Sequence, residues 1–271
     1  MDEMHRKYEK LKGILRSMES VAVAFSGGVD STFLLKVALD TLGPDRVLGI
    51  VATSATYPVK ELEEARLLAE EIGAEICTIE TDELSNPDFA SNPPDRCFHC
   101  KNGLLDIMLP LSKDKGLRHL VHGVNADDLG DYRPGIAAAE QRGVRAPLQE
   151  AGLTKNEIRL LSREAGLRSW DKPSYACLAS RIPYGQPITR DTLLKIDAAE
   201  NALRALGFRQ VRVRHHGDIA RIELLKDDIQ RLFAEGLVDS VVAGLKSAGY
   251  LYITLDLHGY RTGSMNEALS Q

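Results

Sequence analysis

The chain has 271 residues, of which 27% are charged and 44% hydrophobic, and its formal net charge is −5. These values predict a globular protein with one large domain or two, and they exclude a disordered chain or a fibre. No apolar run approaches the roughly 18 residues that a membrane helix needs, and the charged start is unlike a signal peptide. We therefore expect a cytoplasmic protein without a membrane partner, and the acidic balance argues against nucleic acid as a partner.

Short apolar segments alternate with amphipathic segments over the first two thirds of the chain. Such alternation predicts βαβ units, in which helices cover both faces of a parallel sheet. We therefore expect a doubly wound parallel α/β domain over residues 1–185. The predicted strands are 21–25, 47–53, 75–79, 117–123 and, as a candidate fifth, 144–147. The predicted helices are 5–18, the segment after Gly28, 59–72 and 153–165.

The pattern changes near Thr189, where helical and strand segments no longer alternate one by one. This change predicts a smaller α+β domain over residues 186–271. Its predicted strands are 210–215, 219–225 and 250–257, and its predicted helical stretches are 189–206 and 227–248.

The first predicted strand ends in a glycine turn that leads directly into a helix. Paired glycines let the backbone approach an anion closely, and the free amides at a helix start are donors for phosphate. Asp30 could hold a Mg²⁺ ion there. The turn lacks the lysine of the Walker loop and resembles the PP-loop of ATP pyrophosphatases, which cleave ATP between the α- and β-phosphates. The predicted ATP-binding residues of the turn are Ser26, Gly27, Gly28, Val29, Asp30 and Ser31.

Polar residues also follow two other predicted strands, at the sheet edge where open α/β folds bind ligands. A solvated turn after the second strand and an acidic helix start after the fourth are the structural alternatives. The candidate nucleotide-binding residues at these two places are Thr53, Ser54, Gly123, Asp127, Asp128 and Arg133.

Three of the four cysteines lie in polar segments that suit a metal or a cluster. Cys97 and Cys100 have the C-x-x-C spacing, which lets two thiolates converge on one metal, and Cys177 is a third candidate ligand. Three thiolates could hold a [4Fe–4S] cluster with one open iron. A zinc ion with His99 or a redox pair are the alternatives, and Cys77, in an apolar strand, is predicted to be an ordinary buried residue.

Arginines cluster near the C-terminal strands of this acidic chain. Arg212 and Arg214 are two apart on a predicted strand and therefore share one face, where two guanidinium groups suit a phosphate monoester. A solvated strand face is the alternative. Glu200 and Glu223 are candidates for pairing with these arginines or for a local metal.

These motifs together resemble those of the LarE family of ATP-dependent sulfurtransferases, over nearly the whole chain. The resemblance rests on Ser26–Ser31, Gly123–Gly135, Arg145–Leu148, Pro173–Arg181 and Arg212–Arg214. It implies a PP-loop ATP pyrophosphatase fold and a role in building the nickel-pincer nucleotide cofactor. In the implied reaction, ATP adenylates a carboxylate of a pyridinium dicarboxylate mononucleotide, and sulfur then displaces AMP to give a thiocarboxylate.

The sulfur source differs between two branches of the family. In one branch a cysteine at the position of Cys177 gives up its own sulfur, and in the other three cysteines hold a [4Fe–4S] cluster that carries a transferable sulfide. The presence of Cys97 and Cys100 beside Cys177 indicates the cluster branch, with sulfide or a sulfur donor as a partner. The family's hexameric assembly predicts a homo-oligomer.

The resemblance also implies that Ser180 and Arg181 neighbour the reacting carboxylate, and that Arg212 and Arg214 hold the phosphate of the substrate. Cys177 could act as the nucleophile, with Arg181 favouring its thiolate. Other functions remain open. A tRNA thiolation enzyme should need a broad basic surface, an amide-forming synthetase needs an ammonia source, and a nucleotide-sensing metal protein would bind ATP without releasing pyrophosphate.

Overall fold

The computed structural model describes residues 2–128, 134–173, 176–261 and 263–265. Its helices, in chain order, are α1 (Glu3–Met18), α2 (Val29–Leu42), α3 (Val59–Ile72), α4 (Pro87–Ala90), α5 (Arg96–Asp114), α6 (Pro134–Gln141), α7 (Pro147–Ala151), α8 (Lys155–Glu164), α9 (Arg190–Ala205), α10 (Lys226–Ala234) and α11 (Val238–Ser247). Its strands are β1 (Val21–Ala24), β2 (Val47–Thr53), β3 (Ile76–Glu80), β4 (His119–His122), β5 (Val211–His216), β6 (Ile219–Leu224) and β7 (Tyr252–Leu255). Within the described ranges, no helix combines the length and the apolar character needed to cross a bilayer.

The first of two compact units comprises Met1–Asp82 and Asp95–Tyr175. In its described part, the sheet has four parallel strands in the order β3-β2-β1-β4, so β1 lies between β2 and β4. Because the chain leaves β1 toward β2 and only later reaches β4 on the other side, the strand order reverses at β1. Ligands of open α/β sheets bind at such a reversal, outside the carboxyl ends of the strands. The predicted doubly wound α/β fold is confirmed.

Side chains of β1 alternate between two hydrophobic cores, because successive residues of a strand point to opposite faces of the sheet. Val21 and Val23 belong to the core that contains Leu34 of α2. Ala22 belongs to the core that contains Leu105 of α5. Helices therefore cover both faces of the sheet, which explains why the strand sequences are apolar without alternation.

The candidate fifth strand at 144–147 does not form. Arg145 makes an isolated parallel bridge with Val121, and its amide donates to the Leu120 carbonyl at 3.1 Å. Pro147 has no amide hydrogen to extend this pairing, and it begins α7 instead. The prediction of a strand there is therefore wrong, although the segment does lie beside β4.

The second unit comprises Glu83–Pro94 and Ala176–Gln271. In its described residues, three strands form a sheet in the order β5-β6-β7, with β5 antiparallel to β6 and β6 parallel to β7. The predicted small α+β region is confirmed. The unit begins before the boundary expected at residue 185, and it also takes in part of the polar loop after β3. Its core includes Leu203, Phe208, Val213, Ile222 and Leu245.

The helical stretch predicted at 227–248 consists of two helices. α10 ends at Ala234, and α11 begins at Val238. Between them, Gly236 has a φ of +65°, which a right-handed helix cannot contain and which glycine adopts without steric cost. The glycine therefore separates the two helices.

Asn92 anchors the polar loop after β3 within the second unit. The side chain is fully buried, and its amide donates to the carbonyls of Ile182 at 3.3 Å, Pro183 at 2.8 Å and Gln186 at 3.0 Å. Its φ of 58° lies in the left-handed region, which asparagine tolerates better than most residues. The side chain therefore supplies donors to a stretch of backbone that has no regular pairing.

Replacing Asn92 with alanine should lower the free energy of unfolding by about 1–3 kcal/mol, because buried carbonyls lose their donor. Urea denaturation followed by circular dichroism measures the change. The control Asn102→Ala, at a partly exposed position of α5, should change it by less than about 0.5 kcal/mol. An unaltered unfolding midpoint in Asn92→Ala would show that the hydrogen bonds of Asn92 contribute nothing to stability.

Candidate active site

The turn between β1 and α2 brings glycines and hydroxyl groups to the carboxyl edge of the first sheet. Gly27 has a φ of +65°, and Gly28 is extended and precedes α2 without a side-chain cap. The Ser26 amide donates to Ser31 Oγ at 3.2 Å, and the two hydroxyl oxygens lie 3.1 Å apart. The start of α2, which carries the positive end of the helix dipole, can therefore receive an anion at this turn.

Neighbouring backbone approaches this turn so closely that two positions require glycine. A Cβ atom on Gly27 would lie 2.8 Å from the Cβ atom of Ala65 in α3. A Cβ atom on Gly123 would lie 2.9 Å from the Ser31 nitrogen. Because Gly123 directly follows β4, its lack of a side chain lets the end of β4 meet the start of α2. The structure thus places the predicted residue Gly123 beside the predicted turn.

A cleft that is open to solvent lies over the turn. The turn supplies part of its wall, and three other segments supply charged and aromatic side chains. The lining residues are Ser26, Gly28, Val29, Asp30, Tyr57, Glu61, Lys155, Lys172 and Pro173. The cleft therefore combines predicted phosphate-binding residues with two lysines that the sequence did not predict.

The two carboxylate oxygens of Asp30 have different surroundings. Oδ2 accepts a hydrogen bond from the Lys155 ammonium group in an ion pair. Oδ1 is buried and has no hydrogen-bond partner among the described residues. A buried oxygen without a donor is unfavourable, and a hard cation such as Mg²⁺ would satisfy it. The environment of Asp30 therefore fits the predicted magnesium ion.

Lys172 is a buried cation beside the turn. Its ammonium group donates to the Gly27 carbonyl at 3.2 Å and pairs with Glu61 and Glu64, each at 2.9 Å. The Tyr57 hydroxyl donates to the carbonyl of the first serine of the turn at 2.7 Å. Burial, assisted by the two glutamates, raises the pKa of Tyr57 above its usual value, so its hydroxyl stays a donor. Lys172 and Tyr57 therefore fix the carbonyl groups of the turn.

Asp127 and Asp128 shape the backbone beside the cleft. Asp127 accepts from the Lys155 amide at 2.8 Å, and Asp128 accepts from the Asn125 amide at 3.0 Å. Asp127 thereby fixes the start of α8, from which the Lys155 side chain reaches Asp30. Direct nucleotide contact by either aspartate stays a prediction, and the predicted Arg133 lies outside the described residues.

Thr53 and Ser54 lie at the end of β2, on the same edge of the sheet as the turn. The Thr53 carbonyl accepts from the Thr81 amide at 2.9 Å, which continues the pairing with the chain after β3. Ser54 Oγ lies 2.9 Å from Thr56 Oγ1, within the turn that leads to Tyr57. Their predicted contact with the nucleotide stays a prediction.

All four cysteines are free thiols. Cys97 is exposed and Cys100 is half-buried. Both lie at the start of α5, where residues three apart share a helix face. Cys177 belongs to the second unit. Cys77 is only partly buried against the sheet core. Among the described residues, no group of three Cys, His, Asp or Glu side chains could hold a metal ion. The cluster therefore stays a prediction.

Arg181 is fully buried, and it forms a double hydrogen bond with Glu200. Its Nε and Nη2 atoms donate to the two carboxylate oxygens at 2.7 and 2.8 Å. Burial opposes ionisation of Glu200, but attraction by Arg181 and Arg204 outweighs it, so the pKa of Glu200 is lowered. Ser180 is half-buried, and its hydroxyl accepts from Arg181 Nη1 at 3.0 Å. Glu200 also pairs with Arg204, one of the clustered arginines near the C-terminal strands, whereas its pairing with Arg181 was not predicted.

Arg212 and Arg214 are buried, so the alternative of a solvated strand face is wrong. Arg214 donates through Nε and Nη2 to Glu223 at 2.9 and 2.7 Å. The guanidinium carbon of Arg212 lies 5.2 Å from the ring centre of Tyr260. Burial and repulsion by Arg181 lower the pKa of Arg212 to about 10, so it remains charged at neutral pH. Their predicted binding of phosphate stays a prediction.

Comparison with known proteins decides the family of this chain. The NAD synthase family pattern matches residues 4–91, which contain the glycine turn. A pyridinium-3,5-bisthiocarboxylic acid mononucleotide synthase of Lactiplantibacillus plantarum is 40% identical over 271 residues, which cover 100% of this chain and 98% of that protein. The chain belongs to the LarE family. An uncharacterized protein of Synechocystis is 42% identical over 268 residues, which cover 99% of this chain and 100% of that protein.

Membership of the LarE family confirms the resemblance predicted from the motifs. The protein is an ATP-using sulfurtransferase with a PP-loop. Similarity to NAD synthetases is confined to a short region, since the NH₃-dependent NAD⁺ synthetase of Methanosarcina mazei is 36% identical over 77 residues, or 28% of this chain. These enzymes therefore match only a fraction of this chain.

Four residues of this cleft were not predicted from the sequence: Tyr57, Glu61, Lys155 and Lys172. Lys155 follows Thr154, whose capping box with Glu157 marks the start of α8, and this start could have been placed at the carboxyl edge of the sheet. Nothing in the sequence indicated that Tyr57 or Lys172 would reach the glycine turn, because each lies far from it along the chain.

Gly123→Ala should weaken ATP binding, because the added methyl group would displace the start of α2 and with it the amides that receive phosphate. Isothermal titration with ATP measures the affinity. Gly103→Ala is the matched control, since a Cβ atom there meets no neighbour within 4 Å, and its affinity should equal that of the wild type. Equal ATP affinity in the two variants would mean that the contact at Gly123 does not position the turn.

Proposed function

We propose that this protein adenylates a carboxylate of a pyridinium dicarboxylate mononucleotide and converts it to a thiocarboxylate, in nickel-pincer nucleotide cofactor biosynthesis. The observation that carries the proposal is the cleft at the start of α2, with Asp30 and two lysines, in a chain similar from end to end to a bisthiocarboxylic acid mononucleotide synthase. The proposed substrate is the carboxylate precursor of the product in that relative's name.

The first proposed step is attack of the substrate carboxylate on the α-phosphate of ATP. The bond between the α- and β-phosphates breaks, pyrophosphate leaves, and an acyl-AMP forms. The amides at the start of α2 suit the charge that develops on pyrophosphate, and the ammonium group of Lys155 lies in the same cleft. A Mg²⁺ ion held at Asp30 would act as a Lewis acid toward the phosphate oxygens. Adenylation is needed because AMP is a far better leaving group than the oxygen of a free carboxylate.

The second proposed step is attack by sulfur on the acyl carbon, with AMP as the leaving group. Cys177 is the thiol that both possible sulfur sources share. If it gives up its own sulfur, its thiolate forms a thioester, a base removes the Cα proton, and the Cβ–S bond breaks. The products are then a thiocarboxylate and a dehydroalanine at position 177.

The cluster route needs Cys97, Cys100 and Cys177 to act together. Cys97 and Cys100 belong to the first unit and Cys177 to the second. The two sources are distinguished by anaerobic iron and sulfide analysis after reconstitution. Iron and sulfide that disappear in Cys97→Ser would support the cluster, and stoichiometric zinc would contradict it.

Two further features belong to this proposal. Arg212 and Arg214 are cations close together on one strand face, which suits the single phosphate of a mononucleotide. A homo-oligomer, with a hexamer as the expected form, follows from the family resemblance. No nucleic acid is proposed as a substrate, because the net charge of −5 does not favour it.

Asp30→Asn should reduce exchange of labelled pyrophosphate into ATP, in the presence of the carboxylate substrate, by on the order of 100-fold or more, because it removes the charge proposed to hold Mg²⁺. Asp40→Asn is the control, since Asp40 lies on the same helix and pairs with Lys36 at the surface. Full exchange by Asp30→Asn would remove the assignment of Asp30. Amide formation with ammonia in place of a thiocarboxylate would favour the synthetase alternative.

Cys177→Ser should retain pyrophosphate exchange and lose thiocarboxylate formation, because the two steps use different residues. Cys77→Ser is the control and should retain both activities. Intact mass before and after one turnover identifies the sulfur source, since a loss of one H₂S from the wild type indicates the sacrificial route. Thiocarboxylate formation at the wild-type rate by Cys177→Ser would exclude Cys177 as the sulfur carrier.

A further inference from the structure

The cysteine proposed to present sulfur lies at the start of a short 3₁₀ turn. The turn spans Leu178–Arg181, and Cys177 precedes it as the cap residue. Leu178 and Ala179 are buried, and the Ser180 amide donates to the Cys177 carbonyl at 3.0 Å. The backbone on the C-terminal side of the thiol is therefore held by burial and by its own hydrogen bond.

Arg181 is the last residue of the turn, and its side chain reaches back to the residues that precede the turn. Its Nη1 atom donates to the Ala176 carbonyl at 2.6 Å, the Cys177 carbonyl at 3.0 Å and the Ser180 hydroxyl at 3.0 Å. The guanidinium group thus contacts the backbone on both sides of the Cys177 side chain. All three of its nitrogen atoms make hydrogen bonds inside the second unit.

Glu200, on α9, determines where this guanidinium group lies. Besides its double contact with Arg181, it accepts from Arg204 Nη2 at 2.7 Å and from the Val213 amide of β5 at 3.1 Å. Its exposed fraction is 0%. A carboxylate fixed by a helix and a strand, and paired with a planar guanidinium, restricts that guanidinium to one orientation.

A second arginine–glutamate pair holds the other end of the turn in the same way. Arg214 Nη1 donates to the Ser180 carbonyl at 2.8 Å, while its other two nitrogen atoms contact Glu223. Glu223 is fully buried in β6, directly across the strand pair from Arg212. Both ends of the turn are thus held by an arginine that is oriented by a buried glutamate.

We propose that Glu200, acting through Arg181, is a positioning residue for the sulfur-transfer step, because it fixes the backbone on both sides of Cys177 and so sets the direction of the Cβ–Sγ bond. Arg181 is a positioning residue for the same step. The proposal rests on the proposed function, in which Cys177 presents the sulfur. It predicts that disturbing the pair affects sulfur transfer and thiol reactivity while leaving adenylation in the first unit unchanged.

The test uses Arg181→Lys and Glu200→Gln in the full-length protein. Lysine keeps a positive charge for Glu200 but lacks the planar group that reaches the carbonyls of the cysteine turn. The matched control is Arg190→Lys, the same substitution as Arg181→Lys at an exposed position of α9. Three quantities are measured: pyrophosphate exchange into ATP, single-turnover thiocarboxylate formation, and the rate of Cys177 alkylation by iodoacetamide, with the other three cysteines as internal references.

Both variants should keep pyrophosphate exchange, while single-turnover thiocarboxylate formation falls by on the order of 100-fold, as expected for a reacting atom displaced by about 1 Å. The alkylation rate of Cys177 should change, and the rates at the other cysteines should not. Arg190→Lys should behave as the wild type. A general loss of structure would instead alter all cysteines and the exchange reaction together.

Wild-type rates of single turnover and of Cys177 alkylation in Arg181→Lys would overturn the proposal. If Glu200→Gln does not fold, Arg181→Lys alone decides the question through the same measurements. Failure of the proposed function looks different, because the wild type itself would then show no pyrophosphate exchange. In that case the alkylation rates still decide whether the glutamate–arginine pair positions the thiol.

Discussion

The absence of side chains at two glycines is the constraint on which the nucleotide cleft depends. At Gly27 and Gly123, neighbouring atoms leave no space for a Cβ atom, so α3 and the end of β4 can approach the turn before α2. The backbone of the turn is therefore closely packed, and Val29 and Asp30 at the start of α2 line the cleft. Lys155, Lys172 and Asp30 can then be arranged around a fixed group of amides rather than a mobile loop.

In the second unit, the turn that begins at Cys177 is held by pairs of buried charged side chains. A guanidinium group removed from water is costly unless a carboxylate compensates it. Glu200 and Glu223 meet this need for Arg181 and Arg214, and each pair also reaches backbone carbonyls of the turn that begins at Cys177. Arg181 and Arg214, which the sequence suggested for substrate binding, therefore also hold the backbone near Cys177.

Much of the fold follows from local pattern. The apolar segments of β1, β2 and β4 and the amphipathic helices between them predicted a parallel sheet with two covered faces. The glycine turn predicted a ligand site at the carboxyl edge of this sheet, where the structure has a cleft. The predictions that failed concerned local interruptions. The expected strand at 144–147 is reduced to a single bridge, because Pro147 lacks an amide donor. The expected helical stretch at 227–248 is divided in two, because Gly236 has a left-handed backbone conformation.

The sequence by itself determined the βαβ order, the PP-loop and the family, because these depend on periodicity and on motifs that are contiguous along the chain. Only the tertiary structure decided which cations reach the turn and which glutamate pairs with which arginine. Lys172 and Gly27 are far apart in sequence, as are Arg214 and Ser180, and no spacing rule relates them. Such contacts are set by packing and by the need to neutralise buried charge, which act between elements after these have formed.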